Sequence, residues 1–389
     1  MIAEGVNWRV NIAEKDKSTC VGCGLCSKIC PTNAIQLEPD SQGFLYPIVD
    51  TTLCINCGKC FSECTTERPE EGNNPIMVWA AKHNHTHIRR NCTSGGVFPA
   101  LADYIINQGG SVYGAGFDGP KRIVHKRVTD TTSRKELSDS KYVQSDMSGC
   151  YNQIKSDLEK GMLVLFAGTP CQVYALKLFV RDAELRQRLY LCDIVCHGVP
   201  SPGIYREHLD YLERKYRSAI TSVQFRAKRF GWDKSHKRFL ACKLENGQEI
   251  LDELYYRLYF GLNIVSRPSC GRCAYAKQDR YSDITLGDFW GCDKAFAEDG
   301  LGVSLVMTNS EKGEALFSAV QNSFSVQHSN FATASHENVR LTKPTVFGPW
   351  RHAFWMAYRK YGYQKTIKVF LGKTIFDRVL RKLYLSIWR

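Results

Sequence analysis

The sequence holds no apolar run near the roughly 20 residues that a membrane-spanning helix needs. Its first residues, MIAEGVNWRV, lack the charged-then-apolar pattern of a secretory signal. No G-x-G-x-x-G follows a strand-like segment, so a standard dinucleotide-binding fold is not indicated. Acidic side chains are scarce at the far end: Arg340 to Arg389 holds twelve Lys or Arg against one acid, Asp377. These absences predict a cytoplasmic chain whose net charge of +13 is mostly a C-terminal property. The body is close to neutral, so the charge does not mark a nucleic-acid-binding protein.

Cysteine is abundant, at 17 in 389 residues. In a reducing compartment these are poor candidates for disulfides, and metal ligation or redox chemistry is the better reading. The length suggests two domains, and 43% hydrophobic content is enough for a sizeable core.

Two matching blocks lie near the start: Cys20-x2-Cys23-x2-Cys26-x3-Cys30-Pro31 and Cys54-x2-Cys57-x2-Cys60-x3-Cys64. A turn with a thiolate every third residue reaches three irons of one cube, and the fourth cysteine reaches the other cube. Cys20, Cys23, Cys26 and Cys64 are thus expected to hold one 4Fe-4S cluster. Cys54, Cys57, Cys60 and Cys30 are expected to hold a second. Gly22, Gly24 and Gly58 permit the tight backbone this needs. A pair of zinc sites is the rival reading. Thr65 replaces the proline that usually ends the second block.

A polar stretch, Thr65 to Pro75, reads as a linker. Beyond it, strand–turn–helix units recur. Val97, Leu101 and Ile105 share a helical face ended by Gly109-Gly110. Ser111 to Phe117, Leu163 to Ala167, Leu189 to Val195 and Val303 to Thr308 read as strands, with helices from Cys171 and near Ile204 to Tyr216. The fold class is α/β: a small bacterial-ferredoxin-like domain over 1–70, a larger α/β domain over 77–330, and a basic helical extension over 340–389.

Among the other cysteines, Cys171 (GTPCQ) and Cys196 (DIVCHGVPSP) follow buried strands, and Cys270 and Cys273 form CGRC. Ligands gather at the carboxyl ends of strands in such folds. These four can supply a third cluster. A zinc site at Cys270 and Cys273, or plain burial, is the alternative. Cys150 and Cys242 read as core residues.

The segments TSGGVFPALADYI, SKYVQSD, VLFAGTPCQVYALK, DIVCHGVPSP, VQFRAKRFGW, RPSCGRCAYAKQDRYSDITLGDFWG and GVSLVMTNSEKG resemble the coenzyme F-420 hydrogenase/dehydrogenase beta-subunit family, which also resembles 7-hydroxymethyl chlorophyll a reductase. The resemblance runs from about residue 77 to about 320. It implies FAD and a 4Fe-4S cluster in the larger domain, with Cys171, Cys196, Cys270 and Cys273 as ligands. Cys192 and Cys292 are the substitutes if one of these fails.

Thr93-Ser94-Gly95-Gly96 precedes the helix near Val97 and can cap it or receive a pyrophosphate. Lys141, Arg226 and Lys228 offer cations for phosphate or a reduced flavin ring. Thr169 can position that ring or cap a helix. His197 can donate a proton, tune the cluster or be structural. Asp288 reads as a turn residue or a lining one. His83, His85 and His87 alternate in HNHTH, as a polar strand face or a metal site. Residues 374–389 form an amphipathic pattern that suits docking on the body, an acidic partner or an anionic membrane surface.

The expected function is an FAD- and 4Fe-4S-dependent oxidoreductase joining hydride to one-electron transfer, acting on a small molecule or on coenzyme F-420. The alternative is a non-catalytic relay subunit of a larger redox complex with an electron-transfer protein partner. A link to surface polysaccharide assembly at the inner membrane face follows only from the basic tail.

Overall fold

Leu163 to Ala167 is apolar throughout because a parallel strand is covered on both faces. The structure, a computed structural model, describes residues 11–68, 70–226, 228, 231–232 and 239–372. The described strands are β1 (Ile35–Pro39), β2 (Leu45–Val49), β3 (Met77–His83), β4 (Ser111–Phe117), β5 (Ile123–Val128), β6 (Val164–Gly168), β7 (Leu189–Ile194), β8 (Ile220–Gln224), β9 (Leu240–Leu244), β10 (Glu249–Asp252), β11 (Ile284–Asp288), β12 (Ser304–Thr308) and β13 (Phe324–Ser329).

Among these, eight form one sheet in the order β13-β3-β12-β11-β7-β6-β4-β5. Neighbours β4, β6, β7 and β11 run parallel, so their carboxyl ends share one edge. The flanking pairs are antiparallel. Successive side chains of β6 go to opposite faces. Leu165 joins the core with Val97, Leu101 and Ile105 of the helix Val97–Asn107. Val164 and Phe166 join the other core, with Ile154 and Tyr174.

The N-terminal module carries the β1–β2 hairpin and the two cysteine turns. Its hairpin turn is seated on the body: a Cβ at Gly43 would lie 2.5 Å from the Cα of Gly203. The segment expected as a linker is strapped down instead. Asn73 and Arg280 exchange backbone hydrogen bonds at 2.8 Å in both directions, and Tyr281 Oη donates to Glu70 O at 2.6 Å. Its polar composition serves backbone pairing on the body rather than slack.

Sequence patterning did not separate the three-stranded sheet β10-β9-β8. It packs with the helices Pro202–Tyr216 and Arg351–Leu371 through Tyr255, Phe354 and Phe370. The latter helix is broken at Gly362, whose φ is 72°. The predicted amphipathic segment 374–389 lies outside the described residues. The alternating histidines do not share a strand. His83 ends β3, whereas His87 lies in the helix Thr86–Arg90. His83 is buried with its ring edge-on to Phe324 at 5.0 Å. Among the described residues no helix is long and apolar enough to cross a membrane.

Candidate functional site

The two cysteine turns are built alike. Gly22, Gly24 and Gly58 have φ of 68°, 77° and 69°, the left-handed region that favours glycine. Asn56 takes the place of Gly22 in the second block, with φ 52°. Asparagine tolerates that conformation better than other side-chain-bearing residues. Tyr151 Oη, from the body, donates to Cys23 O at 2.9 Å. Burial pushes the Cys23 thiol up to about 12, with Cys64 and then Cys20 pushing the same way. Burial also lifts Cys26 far above the ordinary thiol value, again with Cys23, Cys20 and Cys64 as neighbours. These four thiols therefore face one another. Cys60 is lifted by burial and by Cys57, and packs with Cys30.

A second convergence lies at the carboxyl ends of β6 and β7. Cys171 stands in the first turn of Pro170–Phe179, and Cys196 follows β7. Cys270 sits in the single 3₁₀ turn Pro268–Arg272, with Cys273 just after it. Burial raises Cys171 strongly, with Cys273 and Cys270 adding to it. Burial also raises Cys196 well above the ordinary thiol value, with Cys270, Cys171 and Cys273 pushing the same way. Cys270 is pushed up to about 11 by burial. The sequence thus scatters four thiols that the fold gathers. Among the described residues no three His, Cys, Asp or Glu side chains converge closely enough to hold one metal ion. Thiols bound to separate irons of a cube need no such convergence. Cys171 also feels Cys23, so the two four-thiol groups are adjacent. Cys192 and Cys292 join neither group: Cys192 is core on β7, and Cys292 packs near Phe289 and Trp290. Cys150 and Cys242 are fully buried core residues.

A cavity of about 640 Å³ opens at the same sheet edge. That volume falls in the ~300–1,000 Å³ range of small-molecule and cofactor sites. Thr93, Ser94, Gly96, Lys141, Thr169 and Arg226 line it, as do Cys196, His197 and Asp288. Gly96 (φ 93°) starts the helix Val97–Asn107, whose first turn has no side-chain cap. Thr93 Oγ1 accepts from Ser140 N at 2.7 Å, and Ser94 Oγ donates to Val303 O at 3.0 Å. Burial pulls the Lys141 ammonium down to about 8, against Asp139 and Glu136. Thr169 caps the helix with Gln172 and lies 3.2 Å from Cys171 Sγ. The His197 ring lies 5.2 Å from that of Phe260.

Three expected contacts differ. Gly95 faces the sheet: its N–H donates to Ser304 Oγ at 2.8 Å and its carbonyl accepts from His83 N at 2.8 Å. Lys228 lies behind the loop, its Nζ donating to the carbonyls of Arg89, Ser94 and Leu301. It holds Thr93–Gly96 in place rather than lining the cavity. Arg226 lines the cavity but is already ion-paired with Asp288, and Trp232 Nε1 donates to the same carboxylate at 2.7 Å. That carboxylate offsets its charge.

Sequence reading missed His125. Its ring stacks on Phe166 at 4.9 Å, and Nε2 lies 3.1 Å from Ala167 O. Only the alternation of β5 pointed it inward. Burial pulls its pKa from 6.5 to about 4. Between those values the unfolded chain binds the extra proton and the folded chain does not. Stability is therefore complete above about pH 6.5 and falls by up to ~3 kcal/mol as pH drops towards 4. His125→Phe should flatten this part of the curve. Urea midpoints of both proteins at pH 7 and pH 4.5 check it; equal pH slopes would refute it.

Paired Cys-x2-Cys-x2-Cys-x3-Cys turns mark an iron–sulfur protein. Residues 19–67 match the 4Fe-4S dicluster domain, and residues 161–332 match the C terminus of the coenzyme F420 hydrogenase/dehydrogenase beta subunit. The chain thus carries an iron–sulfur dicluster domain followed by a region similar to the C terminus of that beta subunit. Among solved structures it is similar to a chain of the F420-reducing NiFe hydrogenase complex from Methanosarcina barkeri, at 16% identity and a TM-score of 0.47, covering 76% of this chain and 90% of that one. No curated protein matches it.

Proposed function

We propose that the chain is an iron–sulfur flavoprotein oxidoreductase that joins hydride transfer to single-electron transfer. One observation carries this reading: Cys196 belongs to the four-thiol group and also lines the cavity. A cofactor in that cavity would sit against a cluster ligand. FAD, when bound, supplies two-electron chemistry that can be released one electron at a time. Gly96 and the uncapped amides after it would receive its pyrophosphate. Lys141 supplies positive charge to the same cavity. His197 is the candidate proton donor. Cys171, Cys196, Cys270 and Cys273 would hold a third 4Fe-4S cluster, next to the group of Cys20, Cys23, Cys26 and Cys64. Cys54, Cys57, Cys60 and Cys30 would hold the last. Their thiols must lose protons to bind iron, which the metal drives. The reducible small molecule is coenzyme F-420 or another hydride carrier.

A second reading is a relay subunit within a larger redox complex. Leu53 and Ile55 are 49% and 64% exposed beside Cys54 and the exposed Cys57, a suitable exit to a protein partner. Anaerobic purification with iron, sulfide, zinc and flavin quantified tests both. Three clusters predict about twelve irons per chain, little zinc and one FAD. Full iron without flavin favours the relay. Colourless protein rich in zinc refutes both.

A further inference from the structure

Arg267 is fully buried, at 0% exposure. Its guanidinium reaches across the boundary between the two modules. Nε donates to Cys20 O at 2.7 Å, and Nη2 donates to Leu45 O at 2.9 Å and lies 3.6 Å from Cys20 Sγ. Nη1 donates to Gln144 Oε1 at 2.9 Å, and the Gln144 amide in turn donates to Val21 O at 2.9 Å. The ring of Tyr46 lies under the cation at 4.2 Å. Among the described residues no Asp or Glu forms an ion pair with it. A buried charge without a counter-charge is costly, and here the Cys20 thiol, 3.6 Å from Nη2, is a group able to become an anion.

The two cysteine turns provide an internal comparison. The third position of the motif is Asn56 in one and Gly22 in the other, in the same left-handed conformation. A Cβ at Gly22 would lie 2.5 Å from Arg267 Nη1 and 2.7 Å from Gln144 Nε2. The first turn is kept bare where the guanidinium enters. Among the described residues no guanidinium hydrogen-bonds a thiol of the second turn. The backbone N–H of Arg267 donates to Val199 O at 2.9 Å, directly before the turn that carries Cys270. One residue therefore ties the mouth of the first cysteine group to the third.

We propose that Arg267 sets the reduction potential of the cluster held by Cys20, Cys23, Cys26 and Cys64, raising it so that this centre is the electron acceptor next to the third cluster. This rests on the cluster reading given above. Reduction adds one electron to the cluster and no proton. A fixed cation and an N–H···S contact at a ligand stabilise the added negative charge, and so favour the reduced state. Among the described residues the ligands of the second ferredoxin cluster have no such partner, so it keeps a lower potential.

The test uses full-length wild type and the variants Arg267→Gln, Arg267→Lys, Gln144→Ala and Cys20→Ser. All are reconstituted anaerobically, assayed for iron and sulfide, and titrated with low-temperature paramagnetic resonance. Cys20→Ser identifies the relevant midpoint. Arg267→Gln is expected to lower that midpoint alone, with at least a tenfold fall in the reduced-to-oxidised ratio at the wild-type midpoint, which is about 59 mV for one electron. Arg267→Lys is expected to lower it less, because a point charge replaces the fork. Gln144→Ala slackens the same loop without removing charge and should leave it in place. A wild-type midpoint in Arg267→Gln overturns the proposal, as does an equal shift in Gln144→Ala. Should Arg267→Gln fail to hold iron, Arg267→Lys decides, and a wild-type midpoint there overturns it. Wild-type protein without iron and sulfide sinks the cluster reading itself, a separate result.

Discussion

On the proposed function, Cys196→Ser should lose roughly a third of the bound iron, because one of the three proposed cubes loses a ligand. Paramagnetic signals from the two ferredoxin clusters should persist. A hydride donor should still reduce the proposed flavin, but onward reduction of the ferredoxin clusters should slow by ~100-fold or more, equal to ~2.7 kcal/mol of added barrier. Stopped-flow absorbance of the anaerobic protein separates the two steps. The expectation follows from position: Cys196 is the thiol shared between the cavity wall and the four-thiol group. Unchanged transfer to the ferredoxin clusters would mean that the third group is not on the route.

Arg280→Met should destabilise the fold by ~3–5 kcal/mol, the usual cost of leaving a buried charge without its partner. Arg280 and Asp193 approach at 3.1 Å and are 2% and 1% exposed. Burial pushes the Asp193 carboxyl up, while Arg280 pulls it back. Removing the guanidinium leaves that burial cost opposed only by the Thr285 and Ser282 hydroxyls. The pair Asp193→Leu with Arg280→Met should recover most of the loss. Urea unfolding of the single and double variants measures this. A single-variant loss under ~1 kcal/mol would mean that Asp193 is already protonated beside its partner.

Spacing made the cysteine turns readable, because the motif is local and each thiol is placed by its own few residues. The parallel strands were readable too, since Val164–Gly168 and Leu189–Ile194 are nearly continuous apolar runs. The four-thiol group needed more: a helix and a strand separate Cys171 from Cys196, a long helix and the three-stranded sheet lie between Cys196 and the Cys270–Cys273 pair, and only the strand-end positions of Cys171 and Cys196 hinted at meeting. Arg267 gave no signal. An arginine in a loop reads as solvated, and its burial depends on Phe44, Tyr46 and Gln144 arriving from other parts of the chain. Lys228 was hard to read for the same reason: in FRAK it suits phosphate or a solvated surface equally, and the three carbonyls that receive its N–H groups come from distant segments.

The strap through Asn73 and Arg280, with the hairpin turn seated on Gly203, pins the N-terminal module to the body at two separate places. Redox centres in the two parts would keep one separation through every turnover. Passage between them would then depend on driving force, reorganisation energy and distance rather than on any docking step. Added glycerol should slow delivery to any outside protein by thickening the solvent, while leaving the internal hop at the same speed.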